Sequence, residues 1–117
     1  MTQYKIYHNP RCSKSRQTLS LLEEAGINPD IRLYLDSPPS PVELADILGK
    51  LGMSARELLR KGEDAYRELH LSNTGLNEDQ LIHAMCEYPK LIERPIVIRE
   101  KEAVLGRPPE NVLALIN

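Results

Sequence analysis

The segment QYKIYHNPRCSKSR, residues 3–16, combines a short strand, a turn and the first residues of a helix. Residues 3–7 have the composition of a β-strand, and the Pro-containing stretch 8–11 predicts a turn. A helical spacing of apolar side chains follows and stops at Gly26. We therefore expect Cys12 to lie at or beside the N-terminus of this helix.

Strand patterns return further along the chain. DIRLYL (30–35) predicts a second strand, and the order strand, helix, strand favours a βαβ unit with a parallel pair. PIVIRE (95–100) and AVLG (103–106) predict a β-hairpin that turns at KE (101–102), and PPENVLALI (108–116) predicts a closing helix.

Helix signals dominate the region between these strands. SPVE (40–43) and SARE (54–57) have the spacing of a capping box, and NEDQ (77–80) starts a further helix that must end before Pro89. The predicted fold is α/β with a mixed four-stranded sheet, in the order β-α-β, helices, β-β-α. We predict one domain, 1–117, with a helical insertion at about 40–90.

Composition excludes several classes of protein. Hydrophobic residues make up 41% of the 117-residue chain and charged residues 27%, as in an ordinary globular protein. The net charge of -2 and a pI of about 5.9 give no reason to expect a nucleic acid or a membrane as partner. The N-terminal residues lack the apolar core of a secretory signal, so we expect a cytoplasmic protein in which Cys12 and Cys86 are free thiols.

The surroundings of Cys12 favour its ionised form. The thiolate is the nucleophile, and a free cysteine with a pKa of about 8.5 is only slightly ionised at neutral pH. Helix N–H groups, together with the positive charge expected from His8, Arg11, Lys14 and Arg16, would lower that pKa. The same N–H groups form an anion site, so a thiolate there could attack a bound oxyanion. The alternative, a small buried apolar residue, fits poorly with the polar neighbours.

Two other kinds of cysteine chemistry lack a required residue. Ser15 occupies the place of the second thiol in a Cys-x-x-Cys disulfide exchanger, so the second thiol must come from outside. Thr18 occupies the place of the arginine in the Cys-x5-Arg pattern of protein phosphatases. His83 and Cys86 lie three residues apart on a predicted helix, but no further ligands accompany them, and we expect both to be at least partly buried rather than to bind metal.

The segment HNPRCSKSRQTL (8–19) resembles the glutaredoxin-dependent arsenate reductase family. The likeness continues through LLRKGEDAYREL, LIERPIVI and GRPPENVL and covers essentially the whole chain. It implies a thioredoxin-like fold with a helical insertion and an enzyme, arsenate reductase, that converts arsenate to arsenite. It also implies that no cofactor is bound, that glutathione is the co-substrate, and that glutaredoxin is the protein partner.

The resemblance also implies roles for particular residues. Cys12 would be the nucleophile, and Pro95 would follow a cis peptide bond. Guanidinium groups suit a tetrahedral oxyanion because they present several N–H donors and stay charged. The arginines implied around arsenate are Arg60, Arg94 and Arg107, and the residues implied to support the thiolate are His8 and Ser15. Many members of the family have Gly-Thr after the cysteine, whereas this chain has Ser13-Lys14.

Two alternatives share the fold. One is a thiol oxidoreductase that acts on another substrate, such as a glutathione adduct or a different oxyanion. The other is a regulatory protein that resembles the Spx-type regulators, which bind RNA polymerase and often carry a Cys-x-x-Cys switch. Ser15 and the three arginines argue against the regulator, but they do not separate the two enzymes.

Overall fold

The sheet belongs to the first of two compact units, which comprises the residues up to Ser37 and those from Arg94 onward. The structure is a computed structural model that describes residues 3–116. The elements of this unit are β1 (Tyr4–Tyr7), α1 (Ser13–Glu24), β2 (Asp30–Arg32), β3 (Ile96–Arg99), β4 (Glu102–Leu105) and a C-terminal 3₁₀ helix (Pro109–Leu115).

The strand order is β2-β1-β3-β4, so β1 is a central strand. It pairs in parallel with β2 and antiparallel with β3, and Ile6 faces Ile31 on one side and Val97 on the other. The parallel pair requires the crossover that α1 provides, whereas β3 and β4 are joined by a tight hairpin. This topology confirms the predicted α/β fold with a mixed four-stranded sheet.

Apolar side chains from the sheet, α1 and the C-terminal 3₁₀ helix form one core. The 3₁₀ helix is further anchored by its last carbonyl, because Leu115 O accepts hydrogen bonds from Tyr4 Oη at 3.0 Å and from Arg99 Nη1 at 2.7 Å. α1 packs against this C-terminal segment. The buried members of the core are Tyr4, Ile6, Leu22, Val97, Val112 and Leu115.

Three predicted boundaries in this unit were wrong. The second strand ends at Arg32 rather than residue 35, because Leu33 O accepts the N–H groups of Asp36 and Ser37 in a turn. The hairpin turns at residues 100–101, one position early, and Glu100 takes a positive φ of 56° there. The closing helix is 3₁₀ rather than α, since its bonds span three residues, as from Asn111 N–H to Pro108 O.

The second compact unit, Pro38–Glu93, is helical. Capping boxes start three of its helices, as the Ser-x-x-Glu and Asn-x-x-Gln patterns require, and Gly52 ends the first of them with a φ of 68°. Two short elements were not predicted: α4 and the 3₁₀ helix. The elements are α2 (Pro41–Leu51), α3 (Ala55–Leu58), α4 (Asp64–Glu68), α5 (Glu78–Glu87) and a 3₁₀ helix (Pro89–Leu91).

Among residues 3–116, no helix combines the length and the apolar character needed to cross a bilayer.

Candidate active site

Cys12 is the N-cap residue of α1. Its backbone is extended, with φ -98° and ψ 123°, and its side chain is buried, with 9% of the residue exposed. The thiol is not in a disulfide. The first N–H groups of a helix have no partner within the helix, so a side chain at this position faces unpaired donors and the positive end of the helix dipole.

The pKa of Cys12 is lowered. Burial alone would raise the pKa, but three groups that favour the thiolate outweigh it: the N–H of Ser15, the guanidinium of Arg94 and the N–H of Lys14. Arg94 contributes both its charge and a hydrogen bond from its side chain. The charged side chain that lowers the pKa of Cys12 is therefore Arg94, which is distant in sequence. The sequence had instead predicted that neighbours such as Arg11 and Arg16 supply the positive charge.

Arg94 is positioned by the segment that leads into β3. The Arg94–Pro95 peptide bond is cis, the isomer that the resemblance implies, and Arg107–Pro108 is also cis, which had not been predicted. Nε and Nη1 of Arg94 are buried and have no hydrogen-bond partner among residues 3–116. Buried guanidinium nitrogens with open donors beside a thiolate fit an anionic ligand, because unpaired buried donors are costly.

Arg107 lies close to Arg94. Its Nη1 donates a hydrogen bond to the Arg94 carbonyl at 3.4 Å, while its own carbonyl accepts from Asn111 Nδ2 at 3.1 Å. Two of the three predicted arginines therefore lie together in the unit that contains Cys12. Each precedes a cis proline.

Gly106 holds the arginine segments against α1. Its N–H donates to Pro95 O at 2.9 Å, and Thr18 Oγ1 lies 3.5 Å from Gly106 O. A Cβ at Gly106 would come within 2.4 Å of Thr18 Oγ1 and 2.8 Å of Pro95 Cγ, closer than real Cβ contacts. This close approach fixes the spacing between the helix that carries Cys12 and the segment that carries Arg94.

His8 and Ser15 form a buried pair beneath the start of α1. His8 Nδ1 and Ser15 Oγ are 2.6 Å apart, and Ser15 Oγ also accepts the N–H of Asn9 at 3.0 Å. The pKa of His8 is lowered by burial and by the charge of Arg16, although Glu23 opposes this. The expected positive charge on His8 is therefore wrong at neutral pH, because desolvation favours the neutral ring. His8 instead restrains Ser15, whose N–H favours the thiolate.

Arg60, the third predicted arginine, belongs to the helical unit. Its Nη1 lies 2.9 Å from Glu63 Oε2, and its Nε lies 3.6 Å from Glu93 Oε1. Its main-chain N–H donates to Leu91 O at 2.8 Å, next to the β-bridge between Leu59 and Ile92. Two carboxylates thus hold the guanidinium within this unit.

His83 and Cys86 both lie on α5. Residues 3–116 contain no group of three or more His, Cys, Asp or Glu side chains arranged to hold a metal ion. Cys86 is half-buried as predicted, but His83 is exposed, and its Nδ1 lies 2.8 Å from Asp79 O. The prediction for His83 was wrong because α5 buries Leu81, Ile82 and Met85, and position 83 faces away from them.

The fold and the site define a class: a thioredoxin-like protein with a cysteine at the N-terminus of its first helix and a cis proline before the third strand. The model of the ArsC family matches residues 7–115. The chain belongs to the ArsC family.

Relatives match over nearly the full length of the chain. The protein YfgD of Escherichia coli (strain K12) is 56% identical over 115 residues, which cover 97% of each chain. A protein of Neisseria meningitidis named arsenate reductase is 51% identical and covers 99% of this chain and 100% of its own. The solved structure of an arsenate reductase from Vibrio cholerae superposes with a TM-score of 0.94 at 49% identity and covers 97% of both chains.

Proposed function

We propose that this protein is an arsenate reductase. The observation that carries the proposal is the combination of a Cys12 with a lowered pKa and the buried Arg94 nitrogens that have open hydrogen-bond donors. Relatives named arsenate reductase, at 49–51% identity, support the choice of substrate. The reaction converts arsenate, in which arsenic is As(V), to arsenite, in which it is As(III).

The first step is nucleophilic. The Cys12 thiolate attacks the arsenic atom, a sulfur–arsenic bond forms, and one arsenate oxygen takes up protons and leaves as water. Arsenic remains As(V) in this adduct. The N–H groups of Ser15 and Lys14 stabilise the thiolate before the attack. After the sulfur has bonded to arsenic, the same groups can donate hydrogen bonds to the oxygens of the adduct.

The second step transfers two electrons. A thiolate of glutathione attacks the Cys12 sulfur, a disulfide forms, and the sulfur–arsenic bond breaks with its electron pair left on arsenic. Arsenic is thereby reduced to As(III), and with two further protons it leaves as arsenite, while Cys12 and glutathione are oxidised to a mixed disulfide. Glutaredoxin then attacks the glutathione sulfur and releases the Cys12 thiolate.

The arginines bind and orient the oxyanion. Arg94 and Arg107 suit this role because a guanidinium can donate two parallel hydrogen bonds to an oxyanion, which a lysine cannot do. Arg60 is included because the resemblance implies it. His8 and Ser15 are positioning residues that keep the start of α1 in place for the thiolate. No prosthetic group enters the mechanism, since the electrons come from thiols of a reducing compartment such as the cytoplasm.

A coupled assay tests the proposal. We expect arsenate to drive NADPH oxidation when glutathione, glutaredoxin and glutathione reductase are present, and Cys12→Ser to lower the rate at least about a thousandfold. Cys86→Ser is the matched control, because it makes the same change at the other cysteine, and its rate should stay within about twofold of wild type.

Two outcomes would contradict the proposal. A wild-type rate that does not exceed the blank at millimolar arsenate would exclude arsenate as substrate and favour a thiol oxidoreductase of other specificity. Equal rates in wild type and Cys12→Ser would exclude the thiol mechanism. Capture of RNA polymerase subunits by a protein without reductase activity would favour the regulatory alternative.

A further inference from the structure

Arg107 lies in a short loop, residues 106–108, between β4 and the C-terminal 3₁₀ helix. One side chain of that helix reaches back to the loop: Asn111 Nδ2 donates hydrogen bonds to Leu105 O and to Arg107 O, both at 3.1 Å. A side-chain amide nitrogen carries two N–H donors, so both bonds form at the same time. Asn111 therefore ties the end of β4 and the main chain of Arg107 to the 3₁₀ helix.

The 3₁₀ helix does not depend on this side chain for its own structure. Its first turn is closed by the main chain, since the Asn111 N–H donates to Pro108 O at 3.0 Å. Val112 and Leu115 attach the helix to the core, where both are buried, whereas Asn111 is exposed. The Asn111 amide thus restrains the loop and does not contribute to the packing of the helix.

The contact between the Arg107 guanidinium and the Arg94 segment is weak. Arg107 Nη1 lies 3.4 Å from Arg94 O, whereas an ordinary N–H···O hydrogen bond measures roughly 2.7–3.2 Å. Arg107 is also exposed, and a long exposed side chain keeps much of its rotamer freedom. The point from which its guanidinium reaches an anion is therefore set mainly by the Arg107 main chain.

The loop is anchored on both sides of the Arg107 α-carbon. Before it, the Gly106 N–H donates to Pro95 O at 2.9 Å, which ties the loop to the segment of Arg94. After it, the carbonyl of Arg107 is held by the Asn111 amide. Loss of that amide would leave the first anchor in place but release the second, so the direction of the Arg107 side chain would become less defined.

We propose that Asn111 is a positioning residue of the oxyanion site, which holds the main chain of Arg107 so that the guanidinium groups of Arg107 and Arg94 act on the same anion. The proposal rests on the arsenate reductase function and adds to it a residue that does not touch arsenate. Asn111 acts on the anion only through Arg107.

The thiol provides a readout that separates this role from general damage to the site. The groups that lower the pKa of Cys12 include Arg94 and the start of α1, and Arg107 is not among them. A change that acts through Arg107 should therefore leave the midpoint of Cys12 alkylation within about 0.2 pH units of wild type. A displaced Arg94 or α1 would raise that midpoint instead.

The first test is a double-mutant cycle between Asn111 and Arg107, with kcat/KM for arsenate as the measured quantity. We expect Asn111→Ala to lower kcat/KM about three- to tenfold, because the two lost hydrogen bonds position a ligand and are not themselves ligands. In a protein that already carries Arg107→Ala, the same change should have an effect below about twofold, since the residue through which it acts is absent.

Asn73→Ala is the matched control, because Asn73 is an exposed asparagine of the helical unit whose side chain also bonds the main chain, at the Gly75 N–H. It should leave kcat/KM within about twofold of wild type. An Asn111→Ala protein with wild-type kcat/KM, or with equal losses in the presence and absence of Arg107, would overturn the inference. A Cys12 midpoint raised as far as in Arg94→Ala would overturn it too.

Protection of Cys12 by inorganic phosphate separates the two proposals. Phosphate has the shape and charge of arsenate but is not reduced by thiols, so its protection of Cys12 from iodoacetamide measures oxyanion binding without the reaction. The parent protein is Cys86→Ser, in which Cys12 is the one cysteine left. We expect Asn111→Ala to raise the half-protecting phosphate concentration about three- to tenfold, and Arg107→Ala to raise it at least as much.

An unchanged half-protecting concentration in Asn111→Ala, or no protection in the parent protein, would overturn the inference while arsenate reduction stands or fails by its own assay. If the phosphate pattern holds but no thiol supports arsenate reduction, the proposed function fails. Asn111 would then remain a positioning residue in a site for another oxyanion.

Discussion

Cys12 and Cys86 are the same residue in two helical settings, and their acidities move in opposite directions. Cys12 caps the N-terminus of α1, where unpaired N–H groups and Arg94 lower its pKa. Cys86 lies in the last turn of α5, where burial and the Glu43 carboxylate raise its pKa. Burial opposes the thiolate at both positions, so the difference comes from the donors and charges around each sulfur.

The comparison shows what sets the acidity of a cysteine in this chain. The N–H groups of a helix interior are already bonded to carbonyls, whereas those of the first turn are available to an anion. A fixed guanidinium then adds to the effect at Cys12, and a carboxylate acts against ionisation at Cys86. Position on a helix and one remote charge therefore decide which of the two thiols is the more acidic.

Removal of the Arg94 charge should have the largest effect on the difference in acidity between Cys12 and Cys86. We expect Arg94→Ala to lower kcat/KM for arsenate about a hundredfold or more, because it removes a charge-assisted hydrogen bond to the thiolate and a proposed ligand of the oxyanion. Arg94→Lys should recover part of the loss, since it restores charge without the planar fork. Steady-state kinetics of both variants, with the pH profile of Cys12 alkylation, check this. An Arg94→Ala protein with unchanged Cys12 acidity would contradict it.

The pH dependence of alkylation by iodoacetamide should distinguish the acidities of the two thiols directly. In Cys86→Ser, the midpoint for Cys12 should lie below the pKa of free cysteine, about 8.5, and in Cys12→Ser the midpoint for Cys86 should lie above it. Because the folded pKa of Cys12 is lowered, the thiolate and its stabilising interactions persist above that pKa and are lost as the pH falls through it. Activity should therefore fall as the pH is lowered through the same range. Reversed midpoints would contradict the comparison.

The smallest effect is expected at Glu43. Glu43→Gln removes the negative charge that raises the pKa of Cys86 but keeps an oxygen to accept the Ser40 N–H, as Glu43 Oε1 does at 2.9 Å. We expect the alkylation midpoint of Cys86 to fall by a few tenths of a pH unit, because burial is the larger cause. The Cys12 midpoint in the same protein is the internal control. A rise at Cys86 would show that Glu43 does not act through charge.

Local patterns predicted much of the fold. The box formed by Ser40 and Glu43 and the helix start at Asn77 depend on neighbouring residues, and both are present. The helix start at Cys12 was predicted for the same reason. The hairpin turn was displaced because the choice between residues 100–101 and 101–102 depends on strand register, which β1 sets by pairing with β3.

The site was less accessible to sequence reasoning. The expected local charge included His8, yet burial makes that ring neutral, and burial could not be seen in the segment. Arg94 reaches Cys12 only because the sheet and Gly106 bring the β3 entrance to α1. The resemblance implied Arg94 as an oxyanion ligand, while its effect on the thiol is visible only in the folded structure. The roles of Arg60, Arg94 and Arg107 at arsenate stay predictions.

Gly106 shows that a residue without a reactive group can govern this chemistry. Any side chain there would collide with Thr18 and Pro95 and so displace α1 from the arginine segment. In genetic terms, loss-of-function alleles should arise at Gly106 although it has no side chain to take part in the chemistry. A second-site change such as Thr18→Ala would relieve only one of the two collisions, so full suppressors of such alleles should be rare.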